Sequence, residues 1–484
     1  MTRTLPPDPR ALPGGGVALA LGVNRSLLLG AAGCAVVGGI LAVAAGPLLA
    51  LSALGVLVVI GLFAGAAYRP VFATYAYLGT LPLIAGIGRG HLIPLVRPNE
   101  ALLVVLLAGA LVGGYLRWCR GERVPLQLHQ LDIPMGVFLL ASTAWPLLSM
   151  IIRGAPPAVS DLAAVLPVCK LVAIYLLVRF SVTTEAQLVR CFRLILWPGA
   201  VVAVIAILQT LHFGPVVSML QALWTPDSNA AALVQRGTTT LASPIATGDY
   251  IIICLTLVIC CGARGLLDRR ERLSLGLVLG AGVLAAGQFS TWISAVVAGG
   301  LILWRFSAVR SKSARFLWLI PVVLVVGAPA LIGRLEGFGS GYGVPSSWIG
   351  RWNNLSTFYL PRFDFTTVLM GVSADSVLPA PERWRDVVYL ESGYLNLLWI
   401  GGIPLLAAFL WLAVVVLRRA DALLSPSSMS QSAAISAAAS ALWVCLGFIL
   451  VVTILDPHVT QRGTGDLLFM LMGITTGRLS VQRR

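Results

Sequence analysis

Apolar residues in this chain fall into long unbroken runs separated by short polar breaks, not into the 3.6-residue stripe of a surface helix or the alternation of a half-buried strand. Runs of about 15 to 24 residues, at roughly 1.5 Å per residue, suit helices that cross a hydrocarbon core about 30 Å thick. The pattern predicts spans at 26–45, 48–67, 71–88, 101–116, 133–152, 162–178, 191–211, 245–263, 273–289, 292–305, 315–332, 393–417, 432–455 and 465–477. That makes fourteen, or twelve to thirteen if a short one is re-entrant. The predicted fold is therefore all-α and polytopic. Two hydrophilic connections are long, 212–244 and 333–392. The second opens with glycine-rich LEGFGSGYGVPSS and holds helical candidates near 347–360 and 380–390. A connection of that length is usually functional, and a lid over an outer cavity is expected.

Composition reinforces this picture. Hydrophobic residues make up 58% of the 484, charged residues only 11%, and mean hydropathy is +0.91. No soluble domain needs so much apolar sequence. The polar, Pro- and Gly-rich stretch 1–25 reads as a disordered tail, with residues 26–477 as the membrane domain and 478–484 as a short basic tail. No small-residue cleavage site follows the first apolar run, so the first span is expected to be retained. If the N-terminus is cytoplasmic, most basic residues fall on the inner side, so both termini are predicted to be cytoplasmic. The net charge of +15 then reports topology and anionic headgroups. Nucleic acid is a poor partner, because the basic residues are dispersed over loops without a stacking module.

Arginines remain on the predicted outer face, where topology does not ask for them: Arg89, Arg97, Arg153, Arg236, Arg334, Arg351, Arg362, Arg383, Arg385 and Arg462. Singly, each suits salt bridging or headgroup contact. Gathered at the membrane mouth, their planar forks suit phosphate oxygens. Acids recur at the same depth. Glu100, Asp249, Glu391 and Asp466 sit near helix N-termini, where the macrodipole favours them. Asp456 stands at a C-terminal end, with Arg462 as its expected partner. Lys170, mid-span, must face protein or a cavity; a structural pair, a snorkelled position and a substrate contact all remain open. His91, His212 and His458 show no ligand-like spacing and read as loop residues. The cysteines form no disulfide framework and no metal-type Cys/His pattern, so neither metal nor cofactor is implied.

Three stretches together resemble the family of bacterial O-antigen ligases and O-antigen or exopolysaccharide polymerases. RGTTTLASPIATGDYIII (236–253) is similar to the family's outer arginine, small-residue turn, proline and span. GRWNNLSTFYLPRFDFTTVLMGVSADS (350–376) is similar to its loop pattern of arginine, tryptophan and a later apolar-Gly-x-Gly turn, with Ser373 at the last glycine. ESGYLNLLWIGGIPLLAAFL (391–410) is similar to its acid or histidine, tyrosine and glycine pair entering a span. The likeness covers about residues 190–477. Ligases carry histidine where Glu391 stands, which favours a polymerase. They also carry Ser-Arg at the turn where this chain has Ser290-Thr291-Trp292.

The resemblance implies glycosyl transfer from a polyprenyl-diphosphate-linked glycan on the extracytoplasmic face, in surface polysaccharide synthesis. Membrane lipids and other polysaccharide-assembly proteins are the implied partners. It implies Glu391 as the base or orienting group with Tyr394 beside it, and Arg236, Arg351 and Arg362 gripping the diphosphate. Asp249 and Lys170 are secondary substrate-contact candidates. For Glu391 the rival is a helix-end acid paired with Arg383 or Arg385. For the whole chain the alternatives are ligation to another acceptor and transport or flipping of anionic solutes.

Overall fold

The computed structural model describes residues 47–93, 96–122, 128–226, 233–306, 321, 325, 346–375, 377–381, 387–425, 432–477 and 479. The predicted tail 1–25, the span 26–45, the span 315–332 apart from Pro321 and Val325, Arg334, Arg383 and Arg385 lie outside these residues, as does most of 478–484. The chain divides into two compact units. Residues 1–64 form the first, whose described part is the start of helix α1 (Pro47–Tyr68). Everything below concerns the second unit.

Every other predicted span coincides with helix. In order these are α2 (Pro70–Ile84), α3 (Pro98–Cys119), α4 (Asp132–Ser142) with α5 (Ala144–Ile152), α6 (Val159–Ser181) and α7 (Glu185–Thr210). After a short α8 (Gly214–Leu223) come α9 (Pro244–Ala263), α10 (Arg269–Ala285) and α11 (Phe289–Arg305). The long connection contributes α12 (Ser346–Asn353) and α13 (Phe365–Met370), before α14 (Gly393–Leu424), α15 (Ala433–Val452) and α16 (Thr464–Thr476). Seven of these segments, with α4–α5 counted as one, are long and apolar enough to cross a membrane. The protein is an all-α polytopic membrane protein. Large apolar side chains such as Val104, Leu111, Leu140, Val201, Val296 and Leu410 point outward, as a hydrocarbon surround requires.

α9 lies at the centre. It packs against α7, α10, α11, α15 and α16, and nearly its whole apolar length is buried. A helix apolar all round belongs in such a position. Two residues of the 380–390 stretch, Val387 and Val388, depart from the helical expectation. Leu378–Pro379 pair antiparallel with Val387–Val388 in a two-stranded hairpin.

Two spans are broken, and the breaks meet. Helix α4 ends at Thr143, whose φ of −124° and ψ of −73° separate it from α5. Helix α14 breaks at Gly402, at φ 65° and ψ −162°, a region essentially open only to glycine. The break leaves carbonyls without helical partners, and Pro404 has no N–H for Ile400. The freed groups find partners elsewhere: Val372 N–H donates to Trp399 O at 2.7 Å, and Trp145 Nε1 donates to Gly401 O at 3.0 Å. A Cβ at 402 would lie 2.5 Å from Leu369 O. Both glycine signatures of the sequence, MGV at 370–372 and IGG at 400–402, therefore serve one contact, which docks the long connection onto α14.

Candidate active site at the loop-covered end of the bundle

The long connection packs against the start of α14 and against the turn that follows α15. Tyr359 is the anchor of that cover. Its ring meets Trp399 edge-on at 5.1 Å, and its hydroxyl donates to Val388 O at 2.6 Å. Phe363 packs on the same Trp399 at 5.2 Å. With Val388 and Leu390 these rings form a small apolar core above the bundle. Two turns upstream, α12 presents Arg351 downward.

Arg351 is shared by two carboxylates. Its Nε lies 2.5 Å from Glu391 Oε2, and its Nη1 lies 3.0 Å from Asp456 Oδ2 and 3.3 Å from Leu455 O. Gly393 makes this possible: Gly393 N–H donates to Thr453 O at 2.8 Å, and a Cβ there would come within 2.6 Å of the Thr453 methyl. The start of α14 thus lies against the 453–457 turn, bringing Glu391 and Asp456 to one guanidinium.

Behind Asp456 the polar chain continues into the core. His458 is fully buried, with Nδ1 2.6 Å from Asp249 Oδ2 and Nε2 3.9 Å from Asp456 Oδ2. Burial opposes the imidazolium, but Asp249 and then Asp456 outweigh it and hold the His458 pKa above its ordinary value. Burial pushes the Asp456 carboxyl up, against the opposing pull of Arg351 and His458.

Arg236 enters from the other side on a turn clamped by Gln209. The buried Gln209 amide donates to Leu233 O (2.7 Å), Arg236 O (3.1 Å) and Thr238 Oγ1 (2.9 Å). Gly237 N–H donates to Ala285 O at 3.1 Å. The guanidinium donates to Gln288 Oε1 at 3.2 Å and has no carboxylate within ion-pair distance among the described residues. Burial lowers its pKa, and the repulsion from Arg351 lowers it further.

Of the residues expected to act, Arg351, Glu391 and Asp249 thus belong to one connected polar chain through Asp456 and His458, whereas Arg236 bonds to Gln288. Arg362 does not join the polar chain. It stands exposed in a 3₁₀ turn and donates to Phe358 O at 2.5 Å. Tyr394 spends its hydroxyl on Leu450 O at 2.6 Å, as a tie between α14 and α15. Lys170 is a structural pair, 2.8 Å from Asp466 Oδ1, and Tyr77 donates to the same oxygen at 2.6 Å. Two expectations are corrected. Asp456 is partnered by Arg351, not Arg462, whose Nη1 donates to Gly86 O at 2.8 Å. His458 is not a plain loop residue but a fully buried member of the site. Its only trace in the sequence is the Asp-Pro-His spacing in the turn between the last two spans; its acid partner is 209 positions away.

No family model matches the chain, and neither a curated protein nor a solved structure matches it.

Proposed function

We propose that the protein is a glycan polymerase of the bacterial inner membrane, acting on a polyprenyl-diphosphate-linked donor at the extracytoplasmic face. What carries this reading is Arg351, held beneath the folded connection between Glu391 and Asp456 with Arg236 in reach. The chemistry has two needs. A departing diphosphate develops negative charge, and two guanidiniums in a partly desolvated site meet it. An attacking hydroxyl must lose its proton, and a carboxylate beside those guanidiniums accepts it.

Glu391 is ion-paired with Arg351. Diphosphate oxygens entering between Arg236 and Arg351 compete for the same N–H donors and release the carboxylate. Glu391 then takes the proton of an acceptor-sugar hydroxyl as its oxygen attacks the anomeric carbon. The bond from that carbon to the phosphate oxygen breaks, and its electron pair leaves with the polyprenyl diphosphate. Asp456, backed by His458 and Asp249, keeps Arg351 in place through the exchange.

Incubating the purified protein with a polyprenyl-diphosphate oligosaccharide and sizing the products tests this. A ladder of repeats is the expected result. A single shifted acceptor selects ligation, and untouched donor rejects glycosyl transfer.

Transport of an anionic solute is the second reading, and the meeting of the α4–α5 break with the Gly402 break favours it. Discontinuous helices facing one another are a recurrent feature of transporter sites. Donor left unconsumed but moved across proteoliposome membranes selects that reading.

A further inference from the structure

A separate group of cations lies where the C-terminal end of α2 meets the N-terminal ends of α3 and α16. Arg89, in the turn after α2, lies 3.2 Å from Glu100 Oε1. Arg97 is the residue immediately before α3, and its backbone N–H takes Glu100 Oε2 at 3.1 Å. Arg462 precedes α16 and reaches back to Gly86 O. Lys170 completes the set through Asp466. Four cationic side chains therefore face two carboxylates, both already occupied. Asp466 also receives Gly463 N–H at 3.1 Å and the Tyr77 hydroxyl.

Hydrogen-bonding capacity is left over as well. Among the described residues, Arg89 Nε and Arg97 Nε are buried without a partner. So is the hydroxyl of Thr464, whose residue is 0% exposed in the first turn of α16. Buried donors left unmade cost about 1–3 kcal/mol each, and an acceptor bound beside them would recover that cost. Electrostatics agree. Burial, together with the neighbouring Arg97, brings the Arg462 pKa down to about 10. Burial lowers that of Arg97 too, Glu100 offsetting part and Arg89 adding to it. A bound anion would relieve both. Two helix N-termini add their partial positive charge at the same place. Arg89, with 26% of its side chain exposed, gives access.

We propose that Arg89, Arg97 and Arg462 form a second anion site, for a phosphate or diphosphate group, distinct from the Arg236–Arg351 pair. The tetrahedral oxygens of a phosphate accept from several guanidinium forks at once, which a single carboxylate cannot do. The group can arrive free or on an anionic phospholipid headgroup. The site stands independently of the glycosyl-transfer reading.

Two measurements test it on the full-length protein. The first is calorimetric titration of the detergent-purified chain with sodium pyrophosphate. The second is native mass spectrometry of lipid retained from nanodiscs of mixed phosphatidylglycerol and phosphatidylcholine. Saturable pyrophosphate binding, or selective retention of phosphatidylglycerol, is expected. The first outcome identifies a free anion as ligand and the second a headgroup. Either should weaken about ten-fold or more in Arg97→Gln and again in Arg462→Gln, as loss of a charged hydrogen bond implies, and should survive Arg236→Gln. Arg97→Gln, at a half-buried position, keeps the test open if Arg462→Gln fails to fold. Binding of neither probe, binding unchanged in the folded variants, or binding lost only in Arg236→Gln overturns the site. A protein that binds through Arg97 but leaves glycan donor intact retains this site and loses the catalytic reading.

Discussion

Replacing Arg351 by methionine keeps an unbranched apolar stem and removes the cation shared by Glu391 and Asp456. Glu391 is 31% exposed and can rehydrate, whereas Asp456, at 5%, cannot. Most of the cost therefore falls on Asp456. Breaking a buried pair by removing one partner costs about 3–5 kcal/mol. Because Arg351 is itself 20% exposed, the lower end applies, about 3 kcal/mol. The loss also depends on pH. Burial raises the Asp456 pKa, working against its charged form, while Arg351 favours that form. A group with a raised folded pKa contributes stability that is present at low pH and is lost as pH rises through that folded value. Without Arg351 the folded pKa rises further, so the destabilisation of Arg351→Met should grow from acid towards neutral pH. Denaturant titration of the detergent-solubilised protein at several pH values measures this. The double variant Arg351→Met/Asp456→Asn, in which no carboxylate is stranded, should recover most of the loss. A single variant as stable as wild type at neutral pH, or a double variant no better than the single, refutes the placement of Arg351 as the counter-ion of Asp456.

Three further outcomes are expected. Glu391→Gln should cut donor turnover by about 10²–10⁴-fold with little change in unfolding midpoint, since the proposed general base is removed from a part-exposed position; wild-type turnover at equal protein level counts against it. His458 has a raised folded pKa, so its stabilisation is complete below about 6.5 and declines as pH rises through the higher folded value. His458→Gln should be less stable than wild type and lack that decline, and a parallel decline in both proteins on a pH series of unfolding curves excludes His458 as its source. Gly402→Ala should lose about 1–3 kcal/mol from backbone conformation alone, and more from the contact with Leu369; an unchanged thermal midpoint contradicts the docking of the connection onto α14.

The spans were legible because bilayer thickness fixes helix length and leaves long apolar runs as the only way to meet it. The positions of Gly371, Gly401 and Gly402 were legible too, although not their joint purpose, which needs the meeting of two segments separated by some thirty residues. Glu391 and Arg351 stood out as charge in an apolar chain. What the sequence hid were the pairings. Asp456 looked towards Arg462, the nearest arginine along the chain, whereas the structure gives it Arg351 across the fold. His458 carried no local signal because Asp249 reaches it from α9. Arg362, close to Arg351 in sequence, turns away because the 3₁₀ turn at Leu360–Arg362 points it outward.

Release of free polyprenyl diphosphate from a lipid-linked oligosaccharide, followed by chromatography for wild type, Glu391→Gln and Arg351→Gln, bears most directly on the proposed chemistry. Steady release by wild type, with both variants slowed at least about a hundred-fold, is the predicted result. No release by wild type, or equal release by all three, contradicts it.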